Sequence, residues 1–379
     1  MGQRGLTGAG GDLARGRPGH QASDRSPRVG SGPGRYPRRE SIAQTGWTLR
    51  EMAHSEAWME PSMPNLLSLA VLVPLLLASP SATSSPGATA VATDTLLVAA
   101  TGRNELSVFI SVDMEGIAGA VTPEQLGPGG FEYQRFREIV TGEALAAIEG
   151  AREAGATRFV VADAHGNGQN LLIEQFPDDV EIVRSWPRPL HMMEGVDESF
   201  DAVFFVGYHA AATNMEGVRA HTFSSANFSS VALNGRPMPE GGVNAAIAGH
   251  FGVPVALVTG DDATVAEMME ILGDVEGVVV KEALGFHSAR TLTPAAARNR
   301  IREGARRAIE RLDDFQPHLL DGPLVLELTF KNYRPAEVLA YLSIVERVDH
   351  RTVRFEAADM VEMSKFLQFV GNYRADLDP

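Results

Sequence analysis

Leu106-Ser-Val-Phe-Ile-Ser-Val-Asp-Met-Glu-Gly116 decides how the rest of the chain is read. An apolar, β-branched run stops at two carboxylates, Asp113 and Glu115, and then at a glycine. Such a run predicts a buried strand of a parallel sheet. Ionised carboxylates where a buried strand ends are costly unless a cation or a metal faces them. In open α/β sheets, ligands bind beyond the carboxyl ends of the strands. Residues two apart on a strand point to the same side. Asp113 and Glu115 therefore offer half of a metal site.

Working outward, strand-like runs rich in Val, Ile and Phe recur at 158–162, 180–183, 202–207, 255–259 and 277–280. Helical spacing of apolar residues fills Tyr133 to Ala154, and further helices are predicted over Thr264 to Leu272 and Pro294 to Leu312. This alternation predicts an α/β fold built on a doubly wound, mostly parallel sheet. The segment from Leu324 onward reads strand, helix, strand, helix, a smaller C-terminal α+β subdomain. The expected division is a core over 105–320 and the subdomain over 321–379.

The 379 residues have a net charge of −15 and no Cys. Residues 1–62 hold nine Arg against six Asp and Glu, so residues 63–379 have a net −18. A general nucleic-acid binder needs a basic face, and this balance excludes one. Without Cys there is no disulfide, no thiolate zinc site and no Cys nucleophile, so any metal must sit on His and carboxylate ligands. Residues 1–62 are Arg-, Gly- and Pro-rich without apolar periodicity and are expected to be a disordered leader. Within 63–104, the apolar run Leu66 to Ala78 is too short to span a bilayer but fits a signal-peptide core, followed by Ala88-Thr-Ala90 as a cleavage site. Cleavage would give an exported, periplasmic or extracellular protein with no stable membrane insertion. A retained leader would leave it cytoplasmic or membrane-anchored.

Two more predicted strands end in metal-competent residues: Arg158 to Gly166 includes Asp163 and His165, and Ala202 to Ala210 includes His209. Parallel order would bring all three ends to one edge of the sheet. His221 follows in Gly217-Val-Arg-Ala-His-Thr222, where a loop hydrogen bond is the plain alternative. Glu240 opens Pro239-Glu-Gly-Gly-Val-Asn-Ala-Ala, and taken alone it reads as a first-turn acid favoured by the helix dipole. Carboxylates and imidazoles without sulfur are the ligand chemistry of hydrolytic zinc, and five candidates suit two metals sharing a carboxylate, with Asp113 as the bridge. There is no G-x-S-x-G elbow and no H-E-x-x-H. His191, His250, His287, His318 and His350 read as surface or packing residues.

Ser111-Val-Asp-Met-Glu-Gly116, Asp163-Ala-His165, Gly207-Tyr-His209, Gly217-Val-Arg-Ala-His221 and Glu240-Gly-Gly-Val-Asn244 stand in the order and approximate spacing of the bacterial zinc-dependent D-aminopeptidases, which the protein resembles from about 106 to about 370. The resemblance implies that Asp113, Glu115, His165, His209 and Glu240 bind two zinc ions per subunit and that His221 is catalytic. A nucleophilic role for that histidine is proposed in the family. It further implies short peptide substrates and a homo-oligomer, a decamer of two stacked pentameric rings. On general chemistry His221 is more naturally a general base or acid. Two other readings fit the same residues: an exported, non-catalytic peptide- or metal-binding protein, and a metallohydrolase of this fold acting on another amide.

Overall fold

A computed structural model describes residues 105–373. The expected leader and signal segment at 1–104 lie outside the described residues. The strands are β1 (Leu106–Val112), β2 (Ala156–Asp163), β3 (Val180–Val183), β4 (Ala202–Val206), β5 (Phe228–Leu233), β6 (Arg236–Pro237), β7 (Val255–Asp261), β8 (Glu276–Gly285), β9 (Ser288–Thr291), β10 (Leu324–Phe330), β11 (Val345–Arg347) and β12 (Thr352–Ala357). The α-helices are α1 (Pro123–Leu126), α2 (Tyr133–Glu153), α3 (Glu240–His250), α4 (Asp262–Leu272), α5 (Pro294–Glu310), α6 (Tyr333–Leu339) and α7 (Met360–Asn372).

Seven strands form one sheet in the order β3-β2-β1-β4-β7-β8-β9, parallel except for the β8–β9 hairpin. The doubly wound, mostly parallel α/β sheet read from the sequence is therefore present. Its central strand is buried on both faces because both are covered. Val108, Ile110 and Val112 of β1 pack with Val140, Ala144 and Ile148 of α2 and Ile301 of α5. Phe109, one residue out of phase, joins the core on the other side with Val243 and Ile247 of α3. Fully burying residues of this size contributes about 1.5–3 kcal/mol each.

That second core is closed by an antiparallel sheet in the order β11-β12-β10-β5-β6. Along β10, Leu324, Leu326, Leu328 and Phe330 alternate inward, as one face on a core requires. The smaller α+β layer is not confined to 321–379. It takes β5 and β6 from the middle of the sequence, and β5 pairs with β10 through Leu326↔Leu233 and Leu328↔Val231. Phe228-Ser-Ser-Val-Ala-Leu233 has too little apolar alternation to stand out in the sequence. No helix among the described residues is long and apolar enough to cross a membrane.

Candidate metal centre

From β1 the fold winds through β2 and β3 to one side and through β4, β7 and β8 to the other. The crevice beyond the ends of β1 and β4 is thus the topological switch point, the usual ligand site of such a sheet. Asp113 and Glu115 leave β1 there, His165 leaves β2 and His209 leaves β4. Two glycines bring the ends together. The Gly116 N–H donates to Gly207 O at 2.8 Å, and a Cβ on Gly116 would fall 1.9 Å from the Tyr208 carbonyl. Gly207 itself has φ +73°, a conformation that favours glycine.

Asp113, Glu115, His165, His209, His221 and Glu240 all line one cavity of about 360 Å³. His165 Nδ1 lies 3.0 Å from Asp113 Oδ1 and 2.8 Å from Glu115 Oε2. His209 Nε2 lies 3.3 Å from both Asp113 Oδ2 and Glu240 Oε1. The two oxygens of Asp113 therefore face different histidines. His221 stacks on His209 with ring centroids 4.0 Å apart, its Nε2 lying 3.7 Å from Glu240 Oε1. Two triads, Asp113–Glu115–His209 and His209–His221–Glu240, each bring their ligand atoms within 4.8 Å of one another.

Each histidine spends its other ring nitrogen on a backbone carbonyl. His165 Nε2 reaches Leu126 O at 2.6 Å, His209 Nδ1 reaches Ala210 O at 3.1 Å and His221 Nδ1 reaches Arg219 O at 2.8 Å. Donating there fixes the tautomer and turns the opposite lone pair toward the carboxylates. A lone pair aimed at a carboxylate oxygen is repulsive unless the ring gains a proton or a cation lies between them. The protons respond accordingly. Burial alone would lower the His165 and His209 imidazoles, but Glu115 and Asp113 around the first, and Glu240 and Asp113 around the second, hold both well above the usual range. Burial alone would raise Glu115 and Glu240, yet His165 holds Glu115 well below the carboxylate range and His209 lowers Glu240. Burial, helped by His209, lowers His221. Asp113 Oδ2, Glu115 Oε2 and His209 Nε2 are buried without a hydrogen bond of acceptable geometry. Oxygen and nitrogen donors so arranged fit a borderline cation such as zinc.

Glu240 is, as its position suggests, in the first turn of α3, but its carboxylate does not cap the helix. It accepts the Phe223 N–H at 2.6 Å and faces His209. Asp163 stays out of the cluster, accepting the N–H groups of Asn170 and Leu171 at 2.5 and 2.8 Å. Asp261 caps α4 through the Thr264 N–H and also takes the Val218 N–H at 2.7 Å, tethering the loop that holds His221.

Two supports escape a reading of the sequence. Lys281, on β8, is buried and donates to the carbonyls of Glu115, Ile117 and Ala120, while burial pulls its amine down to about 8. Glu143 of α2 takes the Ala118 N–H at 2.9 Å, and burial pushes its carboxyl up to about 7. Both grip the loop that holds Glu115. A lysine inside Val-Val-Val-Lys-Glu-Ala gives no sequence signal that it is buried. His191, which the sequence presents as a packing residue, lines the metal cavity with its ring between Trp186 and Phe223.

The sequence pattern of the D-aminopeptidase family matches residues 106–369. A curated D-aminopeptidase of Bacillus subtilis (strain 168) is 34% identical over 260 residues, spanning 68% of this chain and 93% of the relative. A solved structure from Bacillus subtilis, a Zn-dependent D-aminopeptidase described as a self-compartmentalizing protease, superposes with a TM-score of 0.68 at 30% identity, covering 72% of this chain and 100% of the other. On both fold and sequence, the chain belongs to the D-aminopeptidase family.

Proposed function

We propose that this protein is a dinuclear zinc aminopeptidase that releases N-terminal D-residues from short peptides. The observation that carries the reading is Asp113, whose two oxygens face His165 on one side and His209 on the other. Asp113, Glu115, His165, His209 and Glu240 would hold the zinc. Bound zinc supplies a Lewis acid for the peptide carbonyl and acidifies water near it.

The remaining work falls to the protein itself. With Nδ1–H held by the Arg219 carbonyl, His221 presents Nε2 as a base to the cavity. That nitrogen accepts a proton from the attacking water and returns it to the leaving amine as the C–N bond breaks. An aminopeptidase must also hold the substrate's free α-amine, and the chain's net charge of −15 favours the approach of an ammonium. The preference for D-residues rests on family membership, since residue types do not encode handedness. The self-compartmentalizing relative supports a homo-oligomer, with the decamer as the expected form, which a sedimentation mass tests. Export rests on the leader, and N-terminal sequencing of the mature protein tests it.

The direct test is His221→Ala assayed on D-alanyl and L-alanyl dipeptides. Turnover should fall by about 10²–10⁴-fold, the range typical of a lost acid–base group, while bound zinc is retained. Full activity in that variant, or turnover of L-peptides alone, would overturn the assignment.

A further inference from the structure

An apolar hollow of about 570 Å³ adjoins the metal cavity, and the two share Asn227, Phe228 and Gly371 as a common wall. The last turn of α7 divides them, with Leu367 facing the metal cavity and Phe369 facing the hollow. Beyond the wall stand Phe330, Val338 and Leu342, and among the described residues no charged one lines the hollow. Gly371, on that wall, is exposed, and a Cβ built on it would meet nothing within 4 Å. Val338, Leu342 and Phe369 are 52%, 39% and 43% exposed although large and apolar.

We infer that this hollow is the leaving-side subsite, which takes an apolar residue from the portion of the peptide beyond the scissile bond. The inference rests on the proposed aminopeptidase reading, which puts a substrate's amino end at the cluster of ligand residues. The rest of the peptide must then leave that cavity, and the shared wall is where an adjoining space begins. The described lining is apolar and holds no cation, which suits an apolar group rather than a terminal carboxylate. A volume of this size lies within the ordinary range of ligand pockets.

The test uses the zinc-loaded full-length protein with D-Ala-Gly-amide, D-Ala-Phe-amide and D-Ala-Gly-Phe-amide, reading both kcat/KM and equilibrium Kd. One of the two Phe peptides should exceed the Gly peptide about 10-fold, the discrimination expected from partly burying an aromatic ring. Gly371→Phe should cut that ratio to about 3 or less by placing a ring on the wall the two cavities share. This position is exposed and helical, so a larger residue there disturbs the fold little. Val338→Asp, which puts a charge in the far wall, should cut the ratio as well. A ratio near one in the parent, or a ratio unchanged in both variants, overturns the inference. So does a shift in sedimentation mass with Val338→Asp, which would assign the patch to contact between copies. If the parent turns over none of the peptides, the aminopeptidase reading fails instead, and the Kd ratio still reports on the hollow.

Discussion

Replacing Glu143 by Gln should stabilise the protein at pH 8 far more than at pH 5. The Glu143 carboxyl is wholly buried in α2, with one oxygen on the Ala118 N–H and the other without a hydrogen bond. Burial pushes its folded pKa up to about 7, against 4.5 for the exposed group. Between those values the folded state binds the extra proton. Its stabilising contribution is complete below about 4.5 and is lost as pH rises through 7. Over the full interval this is worth about 3 kcal/mol, of which about 2–3 kcal/mol falls between pH 5 and pH 8. Gln keeps an acceptor for the Ala118 N–H and cannot ionise. Denaturant unfolding of parent and Glu143→Gln at the two pH values reads the difference directly, and effects common to both proteins cancel. A stability gap of the same size at pH 5 and pH 8 would refute the buried-carboxyl argument, as would a gap that favours Glu at pH 8.

Other perturbations test the frame around the metal centre. Lys281→Met leaves three inward carbonyls without their donor, so several kcal/mol of stability and at least about 10-fold in zinc affinity should be lost, read by denaturation and zinc titration. Gly116→Ala forces a methyl against the Tyr208 carbonyl; stability should drop by about 3 kcal/mol and zinc content with it. Asp261→Ala removes the α4 cap and strands the Val218 N–H, costing about 2–4 kcal/mol and lowering kcat on a D-alanyl peptide as the His221 loop loosens.

The parallel sheet and the cluster at its edge are legible because both follow from short-range pattern. β1 and β3 are runs rich in Val and Ile whose bounds the sequence pattern places where the structure has them, and the strands read from Leu324 onward are present as β10 and β12. The ends of β1, β2 and β4 each hold a group that is expensive to bury unpaired, which singles out Asp113, Glu115, His165 and His209. Glu240 is legible only through the family resemblance, since a first-turn acid has a sufficient local reason to exist. The fold sets it against His209. The strands β5 and β6 are hidden because they are short, polar on one face and, for β5, paired with a partner about 90 residues on. Lys281 and His191 escape for a related reason: burial is a tertiary property, and a single residue in a strand or loop does not announce it. Asp261 combines a local role with a distant one, capping α4 and tethering Val218 in the His221 loop.

Zinc counted on the purified protein, beside an Asp113→Ala variant, tests the central claim most directly. A shared carboxylate predicts about two zinc ions per subunit in the parent and weakened binding at both positions once Asp113 is gone. A parent that binds no zinc, or a variant that holds its full complement with unchanged affinity, would contradict it.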